Sequence, residues 1–140
     1  MNACPCGSEK PFATCCEPFL SLKENPKTVR QLVRARFCAY KLGAGTHREF
    51  LLRTWHPAVH GKINLTDLTN DSYVEWLSLD IVLAQQKGDK GGVEFKARYS
   101  ERGGPDKIHH ERSLFVRVKG MWYYVEGAVK TENATNTADA

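Results

Sequence analysis

The stretch "HERSLFVRVKGMWYYVEG", residues 110–127, decides the fold. Two runs rich in aromatic and β-branched residues flank Lys119-Gly120, a two-residue connection of the kind that closes a tight hairpin. That turn sets the cross-strand neighbours: Val118 faces Met121, Val116 faces Tyr123 and Leu114 faces Val125 on one side. Arg117 then stands against Trp122, and Phe115 against Tyr124, on the other. The first set is expected to face the core. Phe115, Trp122 and Tyr124 would therefore form an outward aromatic group, which is unusual on a monomer and makes them candidate interface residues. Three readings are open for that group: a homodimer contact, a seat for the N-terminal part of the same chain, or a slip of the register by one residue. The second explains why both parts occur in one chain.

Upstream, alternation continues and the glycine clusters "KGDKGG" and "ERGGPDK" divide it into strands expected at 78–87, 92–101, 109–118 and 121–127. Connections this short imply an antiparallel meander. Before the strands the period is helical. Val29, Leu32, Val33, Phe37 and Tyr40 share one face over residues 27–42, and Gly43 and Gly45 end the run. Thr46 and Glu49 have the spacing of a capping box for a second helix, which Pro57 stops after Trp55 and His56. A third, short helix is expected near 70–77, with Tyr73, Trp76 and Leu77 inward. Helices followed by strands give an α+β class: about three helices on a four-stranded antiparallel sheet.

Composition excludes several classes. Of the 140 residues 41% are hydrophobic and 26% charged, as in a soluble globular protein with one main core. No apolar run approaches the roughly 18 residues of a membrane helix, and the N-terminus lacks a secretory pattern. A cytoplasmic location is expected, and no membrane association.

Four of the five cysteines crowd into "NACPCGSEKPFATCCEPFL", residues 2–20. In a reducing compartment clustered thiols bind metal more often than each other, and a disulfide between neighbours such as Cys15 and Cys16 is strained. A redox dithiol normally reads C-x-x-C beside a βαβ unit, and neither is present. Two tight pairs, Cys4 with Cys6 and Cys15 with Cys16, can instead converge on one tetrahedral zinc ion. Four thiolates would close its shell, which makes the site structural rather than catalytic. The segment's only large apolar side chains, Phe12, Phe19 and Leu20, are too few to offset its ordering entropy, so metal is expected to hold it. Cys38 lies outside the cluster and reads as a free thiol.

"CPCGSEKPFATCC" resembles the SEC-C motif, a zinc-binding element first associated with the C-terminus of the SecA translocation motor, where it contacts the chaperone SecB. The rest resembles the YchJ family of small bacterial proteins: "RARFCAYKLG", "TWHP", "HERSLFVR" and "WYYVEG" follow in that family's order. The likeness spans about residues 3 to 127. It implies a zinc element at 1–22 followed by a cone-shaped, cystatin-like or nuclear transport factor two-like α+β domain at 23–128, and it implies no particular activity. Glu9 and Glu17 stand where the motif commonly has glycine, and "KTENATNTADA" holds no second copy of the motif. Residues 129–140 read as a disordered tail by their composition.

Helical counting places Arg36 among apolar neighbours, where an unpaired guanidinium is costly. His110 and Arg112 share the parity of Leu114 and Val116, and Tyr99 that of Phe95 and Ala97. With Tyr40, Trp55 and His56 these residues make a candidate cationic and aromatic pocket, or else a set of structural hydrogen bonds between helices and sheet. Glu94 and Glu111 alternate outward in this reading, which leaves only His56 and His110 for acid–base work and favours binding over catalysis. Charge adds one surface. Lys27, Arg30, Arg34, Arg36, Lys41, Arg48 and Arg53 fall in a stretch whose single acid is Glu49, and this is either a solvated face or a docking site for an acidic protein or RNA. The leading expectation is a zinc-bearing module that recognises a protein partner, and the alternative is a ligand carrier or enzyme using the pocket.

Overall fold

The computed structural model describes residues 2–58 and 74–133. Among them a 3-10 turn at Phe12–Thr14 precedes α1 (Glu17–Leu20), α2 (Val29–Gly43) and α3 (Arg48–Arg53). Four strands follow: β1 (Val74–Lys87), β2 (Lys90–Glu101), β3 (Asp106–Val118) and β4 (Met121–Asn133). They pair antiparallel in the order β1-β2-β3-β4, the meander that the short connections imply. Helices on a four-stranded antiparallel sheet are the α+β arrangement expected. No helix among the described residues is long and apolar enough to cross a membrane.

α2 is the principal helix. At its start the Thr28 hydroxyl accepts from the Gln31 N–H at 3.0 Å, and Gln31 Oε1 accepts from the Lys27 N–H at 2.7 Å. Two otherwise orphaned donors are satisfied reciprocally in this way. The Val29 N–H is taken by Gln86 Oε1 of β1 at 2.8 Å, and Trp122 Nε1 of β4 donates to the Lys27 carbonyl at 3.2 Å. The first turn is thus stitched to both outer strands. Below it lies Gly91, where a Cβ would stand 2.6 Å from Val29 Cγ1, so the helix can approach the sheet only over glycine.

Several local expectations are corrected. The cap of α3 is His47, with no side-chain cap bond, and the helix stops at Arg53. It stops because the next residues join the sheet: Tyr124 N–H donates to the Thr54 carbonyl at 2.7 Å and His56 N–H to the Tyr124 carbonyl at 2.8 Å. Residues 74–77 are strand rather than helix, their backbone being taken up in the ladder that pairs Val74 with Glu101 and Trp76 with Tyr99. Residues 70–73 of that expected helix, including Tyr73, lie outside the described residues. β4 runs past residue 128 to Asn133, which pairs with Lys107 of a longer β3, so the first part of the expected tail is sheet. Residues 134–140 lie outside the described residues.

The larger correction concerns which face is inside. The hairpin pairs Val118 with Met121, Arg117 with Trp122, Val116 with Tyr123 and Phe115 with Tyr124, as its turn requires. An irregularity then leaves Leu114 opposite Glu126 rather than Val125. Phe115 and Trp122 are the inward residues, each 2% exposed, while Leu114 is 53% and Val118 43% exposed. The aromatic set is therefore core and cannot be the interface. Aromatic side chains bury about 150–250 Å² each, more than a Val or Leu offers, and α2 gathers them by packing over the glycine on that same face.

Candidate metal centre and the cone cavity

The N-terminal element is a small knuckle. Ala3 and Pro11 form an antiparallel bridge, Cys4 N–H donates to the Lys10 carbonyl at 2.8 Å and Phe12 N–H to the Asn2 carbonyl at 3.0 Å. The intervening loop turns through Gly7 at φ 85° and Glu9 at φ 70°. Glu9 thus occupies a left-handed conformation that favours glycine, the residue its position commonly carries in the motif. Cys15 follows the 3-10 turn and Cys16 caps α1, where its carbonyl accepts from the Phe19 and Leu20 N–H groups.

These turns bring the sulfurs of Cys4, Cys6, Cys15 and Cys16 within 4.8 Å of one another. The Cys6–Cys15 and Cys15–Cys16 separations are 3.7 and 3.9 Å. Four thiolates about 2.3 Å from a tetrahedral zinc ion stand about 3.8 Å apart, so the set fits that ion. Its electrostatics point the same way. Hydrogen bonds from Cys16 and then Cys38 hold the Cys6 thiol far below its ordinary range. Cys16 is pushed far up by its contacts with Cys38 and Cys6 and then by burial, and Cys15 is raised chiefly by burial. Several negative sulfurs can share this spot only around a cation.

α2 supplies the seat. Arg34 Nη1 donates to the Cys6 carbonyl at 2.9 Å and lies 3.9 Å from Cys6 Sγ, placing a positive charge beside the thiols. Cys38, read from sequence as an isolated thiol, is fully buried with its sulfur 3.6 Å from Cys4 Sγ. The cluster is therefore continuous with the main core. Burial, not spacing along the chain, makes Cys38 its neighbour.

On the inner face of the sheet a cavity of about 180 Å³ opens between α2 and β1–β4. Arg36, Tyr40 and Trp55 line it. The other four candidate pocket residues do not. His56 packs edge-on against Tyr123 and its Nδ1 accepts from the Ala58 N–H. Tyr99 packs beside Trp76, their ring centres 5.0 Å apart and the planes tilted by 44°. His110 and Arg112 lie on the outer face, where His110 Nε2 is 2.7 Å and Arg112 Nε 3.8 Å from a Glu94 carboxylate oxygen. The hydrogen bond from His110 and then the Arg112 charge hold that carboxyl below its usual range.

In place of His110 and Arg112, the cavity receives His109, Glu111 and Ser113. Glu111 is the inward carboxylate that the sequence reading did not find. Its oxygens accept from Ser113 at 2.6 Å and Tyr124 at 2.9 Å, and lie 2.7 Å from His109 Nε2. Burial pushes its pKa up, yet those three bonds outweigh burial and leave the carboxyl below its ordinary range. Tyr124 in turn is raised, by burial and by the adjacent Glu111 charge. Gly127 makes room for this cluster, since a Cβ there would stand 2.6 Å from Glu111 Cδ and 2.7 Å from the Tyr124 hydroxyl. The signal for His109, Glu111 and Ser113 was their shared parity with Phe115.

The basic stretch is not a continuous face. Arg36 is buried, Arg34 is turned to Cys6 and Lys41 Nζ donates to the Trp76 carbonyl, while Lys27, Arg30, Arg48 and Arg53 are exposed.

A cysteine knuckle seated on the long helix of a cone-shaped α+β domain defines the class: a metal-binding motif joined to a nuclear transport factor two-like fold. Residues 2–18 match the SEC-C motif and residues 28–127 match the YchJ middle NTF2-like domain. The chain belongs to the YchJ family. It is 37% identical over 135 residues to a UPF0225 protein of Actinobacillus succinogenes, covering 93% of this chain and 84% of that one. It is 36% identical over 132 residues to a UPF0225 protein of Serratia proteamaculans, covering 89% and 81%. Among solved structures, a SEC-C motif containing protein from Rhodopseudomonas palustris superimposes with a TM-score of 0.81 at 32% identity, over 93% of this chain and 99% of that one. A second, from Psychrobacter arcticus, shares the fold with a TM-score of 0.75 at 24% identity, over 93% and 84%.

Proposed function

We propose that this protein is a zinc-stabilised protein-interaction module that works in the reducing conditions of the cytoplasm. The observation that carries the reading is the closed set of four sulfurs, of which those of Cys4, Cys6 and Cys16 belong to buried residues. Soft thiolates in a tetrahedral array suit zinc, and four of them leave no open position for a substrate. Zinc held there by Cys4, Cys6, Cys15 and Cys16 supplies folding free energy to a segment too small to fold by burial alone. Its four thiolates and two positive charges would take the formal +4 of the chain to +2.

The contact surface in this reading is the outer face of the sheet. Leu83, Leu114 and Val118 project there, each between 43% and 53% exposed, beside the Glu94, His110 and Arg112 cluster. An apolar patch rimmed by charge is the usual form of a protein-binding surface. The partner is a protein, a second copy of the chain included.

Capture of partners from lysate by the native protein, by a Cys15→Ser/Cys16→Ser double variant and by Leu114→Glu tests both parts. Leu114→Glu should keep its metal and lose its partner, while the double cysteine variant should lose its metal. Undiminished capture by Leu114→Glu would remove the outer face from the account.

A further inference from the structure

The inner cavity has a size and a lining that call for an occupant of its own. A dry apolar cavity of about 150 Å³ takes up a benzene molecule, so a volume of about 180 Å³ admits one ring and a short substituent. Trp55, Trp76, Phe95 and Phe115 supply aromatic walls. Among the described residues, Arg36 is the one arginine set into these walls. Arg36 is 8% exposed, with its guanidinium 4.7 Å from the Trp55 ring centre and 4.8 Å from that of Tyr124. Its Nη1 donates to the Leu51 carbonyl at 3.0 Å and to Thr54 Oγ1 at 2.7 Å.

Among the described residues no buried side-chain nitrogen or oxygen lacks a hydrogen-bond partner, and Arg36 makes no bond beyond those two. Its remaining N–H groups are therefore reached from the cavity that it lines. A carboxylate shares this cavity with the arginine: Glu111 also lines it and accepts from Tyr124, whose ring centre is the one 4.8 Å from the guanidinium, and its oxygens are further engaged by His109 and Ser113. An anionic guest would meet a carboxylate as well as an arginine. An uncharged acceptor can take the free N–H groups without being repelled by that carboxylate.

We propose that this cavity is a binding site for a small, uncharged, planar molecule of one ring whose carbonyl oxygen accepts from Arg36. The ring lies against Trp55 and Trp76, and the carbonyl completes the hydrogen bonding of the guanidinium. This site is on the opposite side of the sheet from the outer face, so occupancy and partner capture are separate properties.

The test is titration of the intact, zinc-loaded protein with three probes of similar size: benzamide, benzoate and toluene. Tryptophan fluorescence reads binding, since Trp55 and Trp76 line the cavity, and amide chemical shifts locate it. Benzamide should saturate at the lowest concentration. Toluene should bind at least about tenfold more weakly, the factor that a hydrogen bond from a charged donor commands. Benzoate should also be weaker than benzamide. Arg36→Met should erase the preference for benzamide over toluene. Should that variant fail to fold, Ala97→Leu, which fills the cavity from β2, should abolish binding of all three probes with unfolding remaining cooperative. No saturable response to any probe, equal affinity for toluene and benzamide, tightest binding of benzoate, or unchanged binding in Ala97→Leu would each overturn the proposal.

Discussion

Two adjacent glycines in β2 offer a sharp test of which sheet face is the core. Gly91 pairs with Phe115 and Gly92 with Leu114, so the two positions look out from opposite faces. Neither has a positive φ, so alanine is compatible with the backbone at both. A Cβ at Gly91 would stand 2.6 Å from Val29 Cγ1 and 3.3 Å from Trp122 Cζ3, well inside ordinary contact. At Gly92 the nearest atom is the Ser113 carbonyl oxygen at 3.7 Å, an ordinary distance. Overpacking of this kind costs about 1–3 kcal/mol, against a gain of about 0.5–1 kcal/mol for replacing glycine in a strand. Gly91→Ala should therefore lose about 1–2 kcal/mol, a fall of about 3–7 °C in Tm for a chain of this size. Gly92→Ala should be neutral or rise by about 2 °C. Thermal unfolding of the metal-loaded variants by circular dichroism separates the two. If Gly92→Ala is the more damaging of the pair, α2 does not cover the face assigned to it.

Glu111→Gln replaces the carboxylate that accepts from Ser113 and Tyr124 and lies 2.7 Å from His109, and should cost about 1–3 kcal/mol in chemical denaturation. Because the Glu111 pKa is depressed in the folded protein, its contribution is complete above the unfolded carboxylate value of about 4.3 and is lost as pH falls through the lower folded value; the acid limb of the native stability profile should accordingly be flatter in the Gln variant. Cys38→Ala leaves the four proposed ligands in place and should retain one metal per chain by elemental analysis, with Tm lowered because the sulfur packed 3.6 Å from Cys4 is gone. Thr28→Ala removes the cap of α2 and should cost about 1 kcal/mol by the same unfolding assay, with Gln31 unable to compensate alone.

The parts of the fold governed by local rules were legible. Lys119-Gly120 dictated the hairpin pairs, glycine clusters marked the strand ends, and helical spacing located α2 within two residues at its start. The thiol cluster was legible because its members are close along the chain. What failed depended on what covers what. Alternation divides a strand into two faces but does not say which is buried; that is decided by α2, and the clue was the parity of Gly91 and Gly127 with Phe115 and Ser113. With the faces exchanged, His110 and Arg112 moved out of the cavity and His109 and Glu111 moved in. The capping bonds are made not at Thr46 and Glu49 but at Thr28 and Gln31, which carry a similar spacing, with Gln31 reaching back to the Lys27 N–H rather than to that of the cap itself. Cys38 was missed as a neighbour of the cluster because its proximity arises from packing across thirty-four residues.

Zinc K-edge X-ray absorption on the purified, reduced protein, taken with its metal content, reads the donor set of the cysteine knuckle. One zinc per chain with four sulfur donors at about 2.3 Å is expected. Protein that folds with no bound metal, or a zinc shell containing nitrogen or oxygen in place of any of the four sulfurs, would contradict that expectation.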